Sequence, residues 1–329
     1  MNRSAYFDNA KALLIYLVVL GHLMSGYLQE NEYLDTLYLV IYLFHMPAFI
    51  LISGHFSRTI KSKNDLKKIG KTLVLPYIIF QIAYTFYYKN IFGDDVTYDF
   101  FEPRYALWFL LSMVMWKLML TIFGRHWIMV VMSVVLSLSV GYISEVNEWL
   151  SLARIFFFFP FFLMGYYMSR ENFVKMKNKW NVSIASILGL VLVIVIHLYG
   201  DVRWQEWLFG RIPYEEIEFS ILEIGALSRL LVYVFMFVAT YIFLSLVPEN
   251  KRWYTNVGAK TLCVYLLHLF IIRAFESTVA YEWIKETGNY ILLFGIAFII
   301  VCVLSNKWIW KVIAPLITVK KKNERTTQN

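Results

Sequence analysis

Ten apolar runs, separated by polar loops, constrain this chain more than any other feature. They cover 9–28, 36–56, 72–88, 105–123, 127–143, 152–168, 182–199, 226–247, 261–280 and 290–313. A bilayer core takes about 20 helical residues to cross. Inside it every backbone polar group must find a partner within the chain, which a helix provides and an open strand does not. The pattern therefore predicts an all-α, polytopic membrane protein with about ten transmembrane helices, the fifth and sixth of them short. Even the aromatic run Phe156–Phe162, interrupted by Pro160, reads as helix on this ground. Composition agrees: the 329 residues are 59% hydrophobic and only 16% charged, with a mean hydropathy of +0.57. A disordered chain, a disulfide scaffold and an ordinary soluble enzyme are excluded.

Loop charge supplies the orientation. Arg58, Lys61, Lys63, Lys67, Lys68 and Lys71 follow the second run; Arg170, Lys175, Lys177 and Lys179 follow the sixth; Lys251, Arg252 and Lys260 follow the eighth. The alternate loops are acidic, with Glu30, Glu32 and Asp35, then Asp94, Asp95, Asp99 and Glu102, then Glu145 and Glu148, and a long segment 200–225 rich in carboxylates. Basic loops stay on the cytoplasmic side, which puts both termini there, as an even number of spans requires. The net charge of +8 is thus a matter of topology, and no nucleic-acid partner is expected. No cleavable signal peptide is expected, because the first run is long and carries Lys11 and His22. One membrane domain over 1–317 and a polar, disordered cytoplasmic tail over 318–329 complete the organisation. Cys263 and Cys302 lie in apolar stretches and offer neither a disulfide framework nor a metal site.

Ionisable residues inside apolar runs cost several kcal/mol unless partnered or hydrated. Lys11 and His22 are eleven residues apart, about 20° past three helical turns, so they share one face about 16 Å apart along the axis. Lys11 alone reads equally well as a lysine snorkelling to the interface. The second run holds Phe44-His45-Met46-Pro47 and Ser53-Gly54-His55, with His45 at a depth similar to His22. Two imidazoles at one depth are candidates for proton transfer near neutral pH, or a structural pair. Arg154, His197, Arg229, Arg273 and Glu276 gather towards the outer side, with Arg273 and Glu276 spaced to neutralise each other. Tyr265 and His268 lie in the inner half of the ninth run. Together these groups predict a wet cavity within the membrane. There is no G-x-S-x-G elbow, Walker A loop or H-E-x-x-H helix, and no histidine is followed five residues on by aspartate.

Four segments resemble the integral-membrane acyltransferase-3 family, in particular its fucose-4-O-acetylase-like branch. They are Phe7-Asp8-Asn9-Ala10-Lys11 running to His22, with lysine in the family's basic position; Phe44-His45-Met46-Pro47-Ala48-Phe49 followed by Ser53-Gly54; Leu107-Trp108-Phe109-Leu110; and Lys260-Thr261-Leu262 through Tyr265-Leu266-Leu267-His268. Ala48 departs from the bulky residue usual after the proline. The resemblance implies a membrane O-acyltransferase of a bacterial plasma membrane, moving an acyl group, usually acetyl, from acyl-CoA to a hydroxyl of a surface polysaccharide or lipid-linked sugar. No bound cofactor or metal is implied. His22 would act as general base, and His45 or a nearby arginine would stabilise the oxyanion. Lys11, Arg58 and Lys61 would meet the phosphates of CoA, although topology is the simpler account of the basic loop. Trp108, Arg154, Arg229, Tyr265 and His268 would line the cavity or hold the acceptor. The competing readings are a transporter or flippase for a lipid-linked glycan and a lipid-modifying acyltransferase.

Overall fold

The computed structural model describes residues 4–123, 126–146, 149–218 and 220–318; the predicted tail from residue 319, and Glu148, lie outside them. Every apolar run is a helix, and there is no strand among the described residues. The helices are α1 (Ala5–Met24), α2 (Glu32–His55), α3 (Lys63–Ile69), α4 (Leu75–Phe86), α5 (Trp108–Phe123), α6 (Ile128–Val140), α7 (Leu152–Tyr167), α8 (Arg170–Met176), α9 (Lys179–Tyr199), α10 (Gln205–Phe209), α11 (Gly225–Leu246), α12 (Thr261–Glu276), α13 (Val279–Thr287), α14 (Leu292–Leu304) and α15 (Lys307–Ile317). Short polar residues start many of them. Asn31 accepts from the Tyr33 and Leu34 amides to cap α2, and Ser62 with Asp65 forms a reciprocal capping box on α3, which satisfies amides that a helix start leaves open.

By length and composition, six to nine candidate spans stand beside the ten predicted runs among the described residues. Six helical stretches are long and apolar enough to cross a membrane by themselves among the described residues. Three further pairs, α7–α8, α12–α13 and α14–α15, pass only together and are bent by 98°, 74° and 65°. Counting each pair once gives up to nine spans. The remaining predicted run is α6, whose 13 residues reach only about 20 Å at 1.5 Å per residue.

Loop contacts sort the molecule into two ends. At the basic end the Asn9 amide donates to the Pro248 and Asn250 carbonyls, Lys177 donates to the Ser245 and Val247 carbonyls, and Lys260 to the Ser305 carbonyl. Burial lowers the pKa of Lys177. At the acidic end Lys285 pairs with Glu30 at 3.1 Å and Arg273 with Asp94 at 2.7 Å. Glu276, the expected partner of Arg273, stands at 3.5 Å.

α1 and α2 form an antiparallel hairpin at the centre. One aromatic and aliphatic core joins α1 to α4, α12 and α14, and a second joins α2 to α5, α7 and α11. Where α2 meets α7, glycines let the backbones touch. A Cβ on Gly54 would collide with the Phe162 carbonyl, and one on Gly165 with the Leu51 carbonyl. This fixes α2 between the two cores and so positions His45.

Candidate active site

α1 and α12 pack on each other and both run from the basic end towards the acidic end, and α2 runs back alongside α1. That antiparallel arrangement brings three histidines to one level. His22 of α1 and His268 of α12 face each other with ring centroids 5.2 Å apart. His268 is fully buried. Its Nδ1–H donates to the Tyr265 carbonyl at 2.7 Å and more weakly to that of Val264 at 3.2 Å. Carbonyls only accept, so in the neutral ring Nε2 carries the lone pair. That Nε2 is buried without a hydrogen-bond partner.

His45 has the same internal wiring. Its Nδ1–H donates to the Ile41 carbonyl at 2.8 Å, which leaves Nε2 of the neutral ring an acceptor. The donor role that the sequence reading assigns to His45 is therefore not available to its neutral form. Tyr42 packs edge-on against His45 with centroids 4.6 Å apart. His22 is half-buried and lies close enough to both other imidazoles for electrostatic interaction.

A second unpartnered group stands beside the histidines. Tyr265, one turn before His268 on α12, is buried; its hydroxyl oxygen faces the Phe109 amide, and its O–H finds no acceptor. Its ring meets Phe109 edge-on at 5.7 Å, in the first turn of α5. Arg154 lies within electrostatic reach of that hydroxyl and covers the Trp108 ring at 5.3 Å. An unmade hydrogen bond on a buried group costs about 1–3 kcal/mol. An acceptor nitrogen and a donor hydroxyl thus lie one turn apart on the same helix.

Room for a ligand lies next to them. An apolar cavity of about 80 Å³ is lined by Val18, Met46, Phe49, Phe109, Leu262 and Tyr265. Val18 precedes His22 by one turn, Leu262 precedes Tyr265, and Phe49 follows His45 on the reversed α2. The cavity thus sits on the basic-end side of the histidines. Two turns further along α1 is Lys11, half-buried and paired with the buried carboxylate of Asp8 at 3.0 Å.

The remaining candidates are dispersed. Arg58 and Lys61 are exposed on the loop after α2, at the basic end with Lys11. Arg229 is elsewhere, buried between α6 and α11 with its Nη1 donating to the Ser137 carbonyl at 3.0 Å and its guanidinium 4.3 Å over the Tyr214 ring. Burial among these groups pushes the Tyr214 hydroxyl up to about 12. Several site residues escape the sequence reading. Tyr42, Val18 and Phe49 carry no charge to draw attention. Lys117, an uncounted intraspan lysine, donates to Ser57 Oγ at 3.1 Å, near the basic end.

A bundle of apolar helices enclosing three imidazoles, an open tyrosine hydroxyl and an adjoining cavity defines a multi-pass membrane protein with an interior polar site. The chain belongs to the acyltransferase-3 family, whose acyltransferase domain matches residues 4–306. It is similar to the nodulation protein NolL of Sinorhizobium fredii (strain NBRC 101917 / NGR234), 28% identical over 183 residues, 50% of this chain and 48% of that protein. It is also similar to the nodulation protein NolL of Mesorhizobium japonicum (strain LMG 29417 / CECT 9101 / MAFF 303099), 26% identical over 200 residues, 54% and 52% of the two chains. The chain spans about half the length of the curated relatives it matches. No solved structure matches it.

Proposed function

We propose that this chain is a membrane O-acyltransferase that moves an acyl group, most simply acetyl, from acyl-CoA to a hydroxyl of a sugar. The observation that carries the reading is the pair of unpartnered groups, His268 Nε2 and the Tyr265 hydroxyl, beside His22 and at the end of an apolar cavity, in a chain of the acyltransferase-3 family. In this reading CoA stays at the basic end, its phosphates met by Lys11, Arg58 and Lys61. Its pantetheine arm threads the cavity so that the thioester reaches the histidines. The arm must cover about 16 Å, the rise of the eleven residues from Lys11 to His22.

His22 takes the proton of the sugar hydroxyl as the oxygen attacks the thioester carbonyl carbon. His268 Nε2 accepts from the N–H of His22 and holds the tautomer whose other nitrogen is the base. The tetrahedral oxyanion takes a hydrogen bond from the Tyr265 hydroxyl, with the Arg154 charge behind it. Collapse breaks the carbon–sulfur bond, and the imidazolium returns the proton to the departing CoA thiolate. His45 shapes the pocket through Tyr42 and supplies a second acceptor nitrogen.

The test compares base-labile acyl esters on the glycans of cells bearing the protein with those of cells bearing His22→Ala at equal membrane levels. Loss of the esters with His22→Ala supports the reading, and the released acid names the acyl group. Unchanged esters with glycan accumulating inside the cell would overturn it in favour of a transporter of lipid-linked glycan.

A further inference from the structure

One charge inside the helices has no part in the acyl-transfer site. Lys117 lies in α5, six residues before its end at Phe123, and so about 9 Å inside the basic end of that helix. Its side chain is half-buried, and its Nζ donates to the buried Ser57 Oγ at 3.1 Å. That hydroxyl donates in turn to the Ser53 carbonyl at 2.8 Å. An ammonium carries three donors, and no carboxylate pairs with this one among the described residues. A neighbouring charge repeats its sign, since Lys68 of α3 stands within electrostatic reach. The π-helical turn Gly70–Val74, which joins α3 to α4, packs against α5 and carries Lys71. Asp65, the one carboxylate of α3, is held within its own capping box. A charge taken from water without an opposite partner is costly. Lysines near a helix end escape that cost by reaching into water, as the exposed Lys63 and Lys67 do. Lys117 is held back by Ser57, in a seam that is wholly positive.

The surroundings say which anion fits. The three lysines stand at the head of an apolar surface. Leu75, Ile78, Ile82 and Phe86 of α4 are exposed and recur every three or four residues, which puts them on one face of the helix. That stripe begins one turn past Lys71. Leu118 and Ile122, just beyond Lys117 on α5, are exposed as well. In a bilayer these residues meet hydrocarbon in the leaflet at the basic end, with the lysines at the level of its head groups. Like charges repel, so the seam disfavours a zwitterionic head that brings its own ammonium. A head whose only charge is its phosphate diester suits it, because the phosphate oxygens accept charge-assisted hydrogen bonds from lysine.

We propose that Lys68, Lys71 and Lys117 form a binding site for an anionic phospholipid, its phosphate between α3 and α5 and an acyl chain along the α4 stripe. The lipid neutralises the like charges and ties α3 to α5. The site stands apart from the histidines, since Lys117 is eight residues, about 12 Å of helix, from the cavity-lining Phe109. It does not depend on the transferase reading, and the lipid is a resident of the fold rather than a substrate.

The experiment uses the full chain in phosphatidylcholine nanodiscs and two photoactivatable phospholipids with the same diazirine acyl chain, one with a phosphatidylglycerol head and one with a phosphatidylcholine head. The phosphatidylglycerol probe is expected to label residues 75–82 and 118–122 more strongly than its counterpart, and to be displaced by plain phosphatidylglycerol. A lysine beside an anionic lipid contributes about 1 kcal/mol, or about fivefold in affinity. Lys117→Met and Lys68→Gln should therefore each raise the half-saturating concentration of the probe about fivefold, while Lys117→Arg keeps it near that of the parent. Lys68→Gln changes an exposed side chain and keeps the test decisive if Lys117→Met fails to fold. Equal labelling by the two probes, or a half-saturating concentration unchanged by Lys68→Gln, would overturn the proposal. Displacement of the phosphatidylglycerol probe by CoA would also overturn it, by assigning the lysines to the phosphates of a soluble ligand.

Discussion

The histidine cluster and the Arg229 cage are both pockets of polarity buried among aromatic rings, yet their surroundings differ. Arg229 is packed on every side: Ser137 accepts from it, Tyr214 and Phe157 cover its faces at 4.3 and 5.5 Å. Tyr233 ties the same elements by bonding Ser137 and the Phe157 carbonyl. The Nε of Arg229 is also without a partner, so an unsatisfied atom does not by itself mark a site. The histidines differ in having a cavity alongside, a half-buried member and a free hydroxyl on the same helix. Burial of charge is common to structure and chemistry; unpartnered groups with room beside them belong to chemistry.

Mutation separates the two regions most sharply at their centres. His22→Ala should lower acyl transfer by about 10²–10⁴-fold, the range for loss of a general base. Its detergent melting point should stay near that of the parent, because no hydrogen bond of the fold runs through the His22 ring. His268→Gln, which keeps an acceptor but changes its geometry, should fall between His22→Ala and the parent. A transfer rate unaffected by either would detach the cluster from catalysis.

Arg229→Ala should show the opposite pattern. The charged hydrogen bond to Ser137 and the stacking on Tyr214 together stabilise the fold by about 3 kcal/mol. A drop of that order in an unfolding titration is expected, with transfer per folded molecule within about threefold of the parent, since sites without shared contacts act independently. If Arg229→Ala abolished transfer in folded protein, the cage would join the active site.

The cavity gives a smaller, directional effect. Val18→Phe adds a ring to a space of about 80 Å³ and should reduce turnover about tenfold by overpacking the donor path. The defect should grow with acyl chain length. An equal loss for acetyl and longer donors would place the acyl group elsewhere.

How much of this was legible beforehand follows from which forces act locally. Apolar runs and loop charges are local, and all ten predicted segments are helices. The face shared by Lys11 and His22 follows from helix geometry alone. The partner of His22 was not legible, because depth suggested His45 while packing of α12 against α1 brings up His268, 246 positions away. The same packing created the open state of Tyr265. For the oxyanion the residue types allow His45 or a nearby arginine; the Ile41 carbonyl, a helical neighbour that accepts from Nδ1, leaves the neutral His45 ring an acceptor at Nε2. Bends are likewise not legible, since hydropathy does not register a 98° break between α7 and α8. Arg229 looked like a cavity residue because charge in an apolar run flags function, and sequence has no means to show Tyr214 folding over it from a loop.

The smallest expected effect lies in the acidic segment 200–225. Arg203 donates to Asp201 and holds its carboxyl below the usual carboxylate range. A depressed carboxylate contributes stability that is complete above its unfolded pKa, about 3.9, and is lost as pH falls through the folded value. With side chains 44% and 32% exposed, solvent screens the pair, and its contribution is small. The expected signature is a shallow fall in melting point between pH 5 and pH 3 that Asp201→Asn removes, checked by thermal scans in detergent. A fall of the same size in the Asp201→Asn protein would place the titrating group elsewhere.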